Sequence, residues 1–164
     1  MELLGVCQWI YQTPMSIAIR ESIWVYPILD VLHCAGILLV AGTIVIVDLR
    51  LLGCGMRRSP VSSVIGQVLP WTLSGFVFMF ITGSLLAWSE PVRLYHSLFF
   101  PWKLLFLAMA GSNALLFHYG IYRGVAAWDL DSLTPARARL AGAVSIVCWI
   151  CVIAAGRAVG YEMT

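Results

Sequence analysis

Ionisable side chains set inside long apolar stretches are where this sequence could hold chemistry. Asp30 and His33 stand three residues apart in one such stretch, so on a helix they share a face. Arg157 lies in another stretch and His96 at the edge of a third. Counted from the expected outer edge of their helices, these four fall within roughly 10 to 15 Å of one another in depth. A neutral imidazole held in an apolar bundle is a ready axial ligand for haem iron, and a nearby arginine neutralises a haem propionate that would otherwise be buried unpaired. His33 is the best-placed ligand for the iron. Opposite it stand three options: His96, if the connector that carries it folds inward, or Met79 or Met109, at similar depth on the neighbouring helices. The same residues also read as a structural ion pair between Asp30 and Arg157 with His33 hydrogen-bonded to it, or as a site for another metal or ligand.

A second group, Asp48 and Arg50 with Asn113 and His118, falls toward the opposite face. A quinone headgroup needs a hydrogen-bonding pair that also exchanges protons, and His118 with Asp48 and Arg50 offers one. An Asp-x-Arg at a helix end beside a histidine equally reads as interfacial electrostatics. Cys148 and Cys151 have the spacing of a redox pair, which invites comparison with quinone-linked disulfide-generating enzymes. Their depth in an apolar helix suppresses the thiolate, and no second cysteine pair stands in the outer connector to relay oxidation, so they read as small core residues. No Ser-His-Asp order, phosphate loop, zinc spacing or paired-carboxylate motif is present.

The elements that position these residues follow from composition. Of 164 residues 61% are apolar and only 11% charged, against about a quarter charged in a soluble domain. The apolar residues form four blocks, at about 23–47, 64–88, 98–122 and 140–159, each long enough to cross a bilayer. Hydrocarbon offers backbone groups no partners, so each block is expected to be an α-helix, with Pro27, Pro70 and Pro101 near helix starts or at kinks. The expected fold is an all-α integral membrane protein: four transmembrane helices in an antiparallel bundle. Residues 1–22 form a separate interfacial segment and 23–164 a single membrane domain. In that segment Leu3, Leu4, Trp9 and Ile10 enter the headgroup boundary, and Thr13-Pro14 starts a second short helix. Its lack of a cationic start and its short apolar run set it apart from a cleavable signal peptide.

Orientation follows from the basic residues. The first and third connectors carry Arg50, Arg57, Arg58, Arg123, Arg137 and Arg139, whereas Arg20, Arg93, Lys103 and Arg157 fall on the other side, with Lys103 and Arg157 near enough to helix ends to snorkel. Those connectors are expected in the cytoplasm and both termini outside. Gly156 and Gly160 form a GxxxG, and Ala35-Gly36 and Ala41-Gly42 add small residues to the first helix. Such faces serve packing within one chain, a homodimer or a larger membrane complex. Nucleic-acid binding and a water-soluble enzyme are excluded by the composition.

The run ESIWVYPILDVLHCAGILLVAGTIVIVDLRLLG, followed by LPWTLSGFVFMFITGSLLAW, KLLFLAMAGSNALLFH and CVIAAGRAVGY, resembles a family of small bacterial four-helix inner-membrane proteins of unknown function. The resemblance covers nearly all the chain after about Arg20. It implies a stand-alone four-helix protein of the bacterial inner membrane, with Glu21, His33, Asp48, Arg50, Lys103, Asn113, His118 and Arg157 on the polar positions of the pattern and His96 outside it. A fainter similarity to the membrane domains of b-type cytochromes is analogy, carried by helix-borne histidines. The expectation for function is a b-type cytochrome-like electron carrier with haem b near the outer face and a quinone or proton site near the inner face. The competing expectation is a cofactor-free membrane subunit or small-molecule transporter.

Overall fold

The computed structural model describes residues 3–162. Two short helices, α1 (Leu3–Tyr11) and α2 (Pro14–Glu21), precede α3 (Val25–Leu52), α4 (Val61–Ser89), α5 (Pro91–His96), α6 (Phe99–Tyr119) and α7 (Ala136–Tyr161), with a 3-10 segment at Ile121–Ala127. Four helical stretches are long and apolar enough to span a membrane: α3, α4, α6 with its 3-10 extension, and α7. At 28 residues, α3 exceeds the roughly 30 Å hydrocarbon thickness even when tilted. Large apolar side chains such as Leu38, Phe80 and Leu116 point away from the bundle, where lipid rather than water would cover them.

Helix ends are set by backbone chemistry more than by charge. The first apolar block was expected to stop at Val47, yet α3 continues through Asp48 and Arg50 to Leu52. It ends where Gly53 adopts a left-handed φ of 73°, which a side chain would resist, and Gly53 and Cys54 return their N–H groups to Arg50 and Leu49. Pro60 and Pro135 occupy the positions just before α4 and α7. The last helix therefore starts at Ala136, earlier than hydropathy indicated, because Ala138 and Ala141 are buried while Arg137 and Arg139 stay exposed. Pro70 lies inside α4, whereas Pro27 and Pro101 fall in first turns.

Hairpins α3–α4 and α6–α7 join along α3–α7. Small residues let the helices close. A Cβ built on Gly75 would stand 2.7 Å from Val40, one on Gly36 2.8 Å from Met79, and one on Gly142 3.2 Å from the carbonyl of Asp48. Thr72 on α4 donates to Thr43 on α3 at 2.9 Å. The shared core is Val40, Ala110, Cys148, Trp149 and Val152, with Phe76 tilted against Trp149 at 5.7 Å between ring centres. Cys148 thus packs as a core residue, and both it and Cys151 are free thiols.

Because two hairpins are joined, α1, α2, α5 and the end of α7 gather at one end of the bundle, the terminal end; the first and third long connectors occupy the other, the connector end. At the terminal end Thr13 caps α2 by accepting from Ser16 N–H at 3.4 Å, with Pro14 in its first turn. Arg20 lies 3.7 Å over the Tyr11 ring and donates to the carbonyls of Tyr11 and Ser89, tying the N-terminal helices to the end of α4.

Candidate functional site

His33 projects from the third turn of α3 toward α4 and is half-buried. Its Nδ1 lies 3.0 Å from Thr82 Oγ1. Thr82 Oγ1 also lies 2.9 Å from the Phe78 carbonyl, and when its single proton goes there the oxygen accepts from His33. In that arrangement the neutral ring carries its proton on Nδ1 and its lone pair on Nε2. Gly83 completes the seat: a Cβ there would stand 3.0 Å from the ring's Cε1, so a side chain would press on the imidazole. One residue thus orients the ring and the next makes room for it.

Around His33 stand Asp30, exposed on the same helix, and Lys103 from α6, both within electrostatic reach of the imidazole. Lys103 also lies in reach of Cys34. It is half-buried, and its stem runs over Gly156 of α7, where a Cβ would meet Cε at 3.5 Å and Nζ at 3.6 Å. Gly156, one half of the GxxxG, accommodates a lysine rather than a helix backbone, and Gly160 has nothing within 4 Å.

The other residues expected here are dispersed. Arg157 is exposed, with its guanidinium 5.1 Å over the Tyr161 ring, and no ion pair joins it to Asp30 among the described residues. The connector carrying His96 does not fold inward: it forms α5, which packs on α1, and His96 is exposed with its ring edge-on to Tyr95 at 5.2 Å. Met109 is 46% exposed while its neighbour Ala110 is the buried residue of that turn. Met79 alone of the three options for the opposite ligand shares the α3–α4 seam with His33, packed against Gly36 one turn deeper.

At the connector end the expected cluster of four also separates, and among the described residues no hydrogen bond joins its members to one another. Arg50, wholly buried, donates from Nε to the Ser59 carbonyl at 2.8 Å and from Nη2 to those of Asp129 and Asp131 at 3.3 and 3.1 Å. It clamps the first and third connectors together. Asp48 turns to α7, where it meets Ser145, and Asn113 donates to the Ala141 carbonyl at 2.9 Å. His118 is exposed and stacks on Tyr122, ring centres 5.5 Å apart. Asp48 Oδ2 and Arg50 Nη1 are buried without hydrogen-bond partners among the described residues. Beside them Asp129 accepts from Ser62 N–H at 2.7 Å and from its hydroxyl at 2.6 Å, which holds the Asp129 carboxyl below the usual range.

Among the described residues no three His, Cys, Asp or Glu side chains gather as a metal site. Thr82 and Gly83 were not singled out in the sequence, and Lys103 was read as a snorkelling residue. Their signal was a hydroxyl within an otherwise apolar run, and a lysine and a glycine at matching depth on adjacent helices.

Fold and site together define an all-helical protein with four helices able to span a membrane and a partly buried histidine and lysine toward one end. The chain belongs to a family of unknown function, DUF6644, whose profile matches residues 23–162. No curated protein and no solved structure matches the chain.

Proposed function

We propose that this is a multi-pass protein of the bacterial inner membrane, both termini outside, that carries electrons through a haem b ligated by His33. The observation that carries this reading is the Nδ1 contact with Thr82, which fixes the ring and leaves Nε2 as a free donor atom. A metal-bound histidine uses that arrangement, one ring nitrogen anchored and the other presented to the metal. Gly83 supports the same reading by giving the ring its seat. Met79 is the second ligand this reading favours, since a thioether in the same seam is flexible enough to turn toward iron. Haem, when bound, would supply one-electron redox chemistry. The chain's own residues would hold it through His33 Nε2, with Thr82 orienting the imidazole. At the other end Asp48 Oδ2 and Arg50 Nη1 are the atoms this reading offers to a quinone headgroup or a proton.

A second reading, a cofactor-free membrane subunit or small-molecule transporter, is favoured by how tightly that seam is closed, with Gly75 against Val40 and Gly36 against Met79. The haem-to-protein ratio by pyridine haemochrome separates the two. With ample haem supply the wild-type protein should be coloured, and His33→Ala should lose about nine-tenths or more of its haem, because in this reading the imidazole supplies the principal iron bond. A colourless, folded wild-type protein ends the cytochrome reading.

A further inference from the structure

Lys103 is the fifth residue of α6, inside a stretch long and apolar enough to span a membrane. Among the described residues it has no carboxylate partner and no hydrogen bond. The titratable groups in its electrostatic reach are His33 and Cys34, neither of them an anion in its ordinary neutral form, while Asp30 acts on His33 from an exposed position on α3. A cation at membrane depth costs several kcal/mol unless something negative meets it. The lysine stem rests on Gly156, where a Cβ would stand 3.5 Å from Cε. Arg157, the next residue, is turned outward onto Tyr161 and is not the group that faces this space.

We infer that Lys103, seated on Gly156, is the docking point for the carboxylate of an apolar ligand that lies against the exposed apolar side chains around it, such as Phe99, Trp102 and Leu104. In the haem reading, on which this assignment of ligand rests, the carboxylate is a propionate. The same chemistry is presented by a fatty acid, whose chain would lie along the exposed apolar helix faces. In either case the ammonium donates to a carboxylate oxygen away from bulk water, where such a bond is strong.

Binding of haem and of haem dimethyl ester, which differ only in the two carboxylates, tests this on the purified protein in lipid nanodiscs. A parallel arm follows the carboxyl carbon of 13C-labelled palmitate by NMR. Haem should bind about tenfold more tightly than its ester, the worth of one charge-assisted bond. Lys103→Gln should abolish the preference and Lys103→Arg restore most of it. Gly156→Leu, which pushes the stem aside while keeping the charge, should reduce it. Equal binding of haem and ester with no palmitate shift overturns the inference and leaves His33 ligation standing. No binding of either haem form, with a palmitate shift that Lys103→Gln removes, overturns the haem reading and keeps the carboxylate site. Absence of every signal overturns both, and a preference that Arg157→Gln abolishes while Lys103→Gln spares it overturns the assignment to Lys103. Should Lys103→Gln fail to fold, the wild-type haem-to-ester ratio and Gly156→Leu decide.

Discussion

At the connector end, polar side chains tie connectors and helix ends together and leave only single atoms over, Asp48 Oδ2 and Arg50 Nη1; at the terminal end, His33 and Lys103 tie no connectors together. Arg50 engages three carbonyls from two connectors, and Asp129 commits both carboxylate oxygens to Ser62 at the start of α4. Thr134 adds a hydroxyl bond to the Leu51 carbonyl, and Val61 N–H bonds that of Asp129. His33, in contrast, makes one hydrogen bond through Nδ1, and among the described residues neither its Nε2 nor the ammonium of Lys103, whose stem is packed, has a hydrogen-bond partner. A guanidinium fork can satisfy several carbonyls at once and so holds loops together, whereas an imidazole anchored at one nitrogen offers the other to a ligand. Both ends bury polar groups, but Arg50 holds separate connectors of the chain together, which neither His33 nor Lys103 does.

Three experiments press on this contrast, in addition to the tests of His33 and Lys103. The largest effect is all-or-none. An alkaline phosphatase reporter, active only outside the cytoplasm, should work when fused after Thr164 and fail when fused after Arg58; the reverse would exchange the faces of the two ends.

Next in size is Arg50→Leu. It leaves the carbonyls of Ser59, Asp129 and Asp131 without their donor and should cost about 3 kcal/mol of stability in detergent, with Arg50→Lys intermediate because a point charge cannot span the same three acceptors. A change under about 1 kcal/mol would show that the connectors hold without the clamp.

The smallest effect concerns pH. The Asp129 carboxyl is held below the usual range by the Ser62 hydrogen bonds, so it binds its proton less readily folded than unfolded. Its contribution is therefore complete above the ordinary aspartate value of about 4 and declines as pH falls below that toward the folded value. Thermal unfolding measured across this acid range should lose part of its slope in Asp129→Asn. An unchanged slope would assign the acid sensitivity to other carboxylates.

Four apolar blocks and the physics of hydrocarbon were enough to read the architecture, because a backbone without water has only the helix available to a single span. The Thr13-Pro14 start of α2 was legible for a similar reason, since a capping hydroxyl and a first-turn proline act within four residues. His33 was legible as a residue type out of place in an apolar run. Its seat was not, because Thr82 and Gly83 are some fifty residues away, and only the register of α3 against α4 decides which side chains face it. The same holds for Arg50, whose partners come from two connectors, and for Gly156, which looked like a helix-packing motif and instead accommodates Lys103. Hydropathy acts along the chain and can be read from it; hydrogen bonds and close contacts between helices depend on rotation and depth, which only tertiary packing determined.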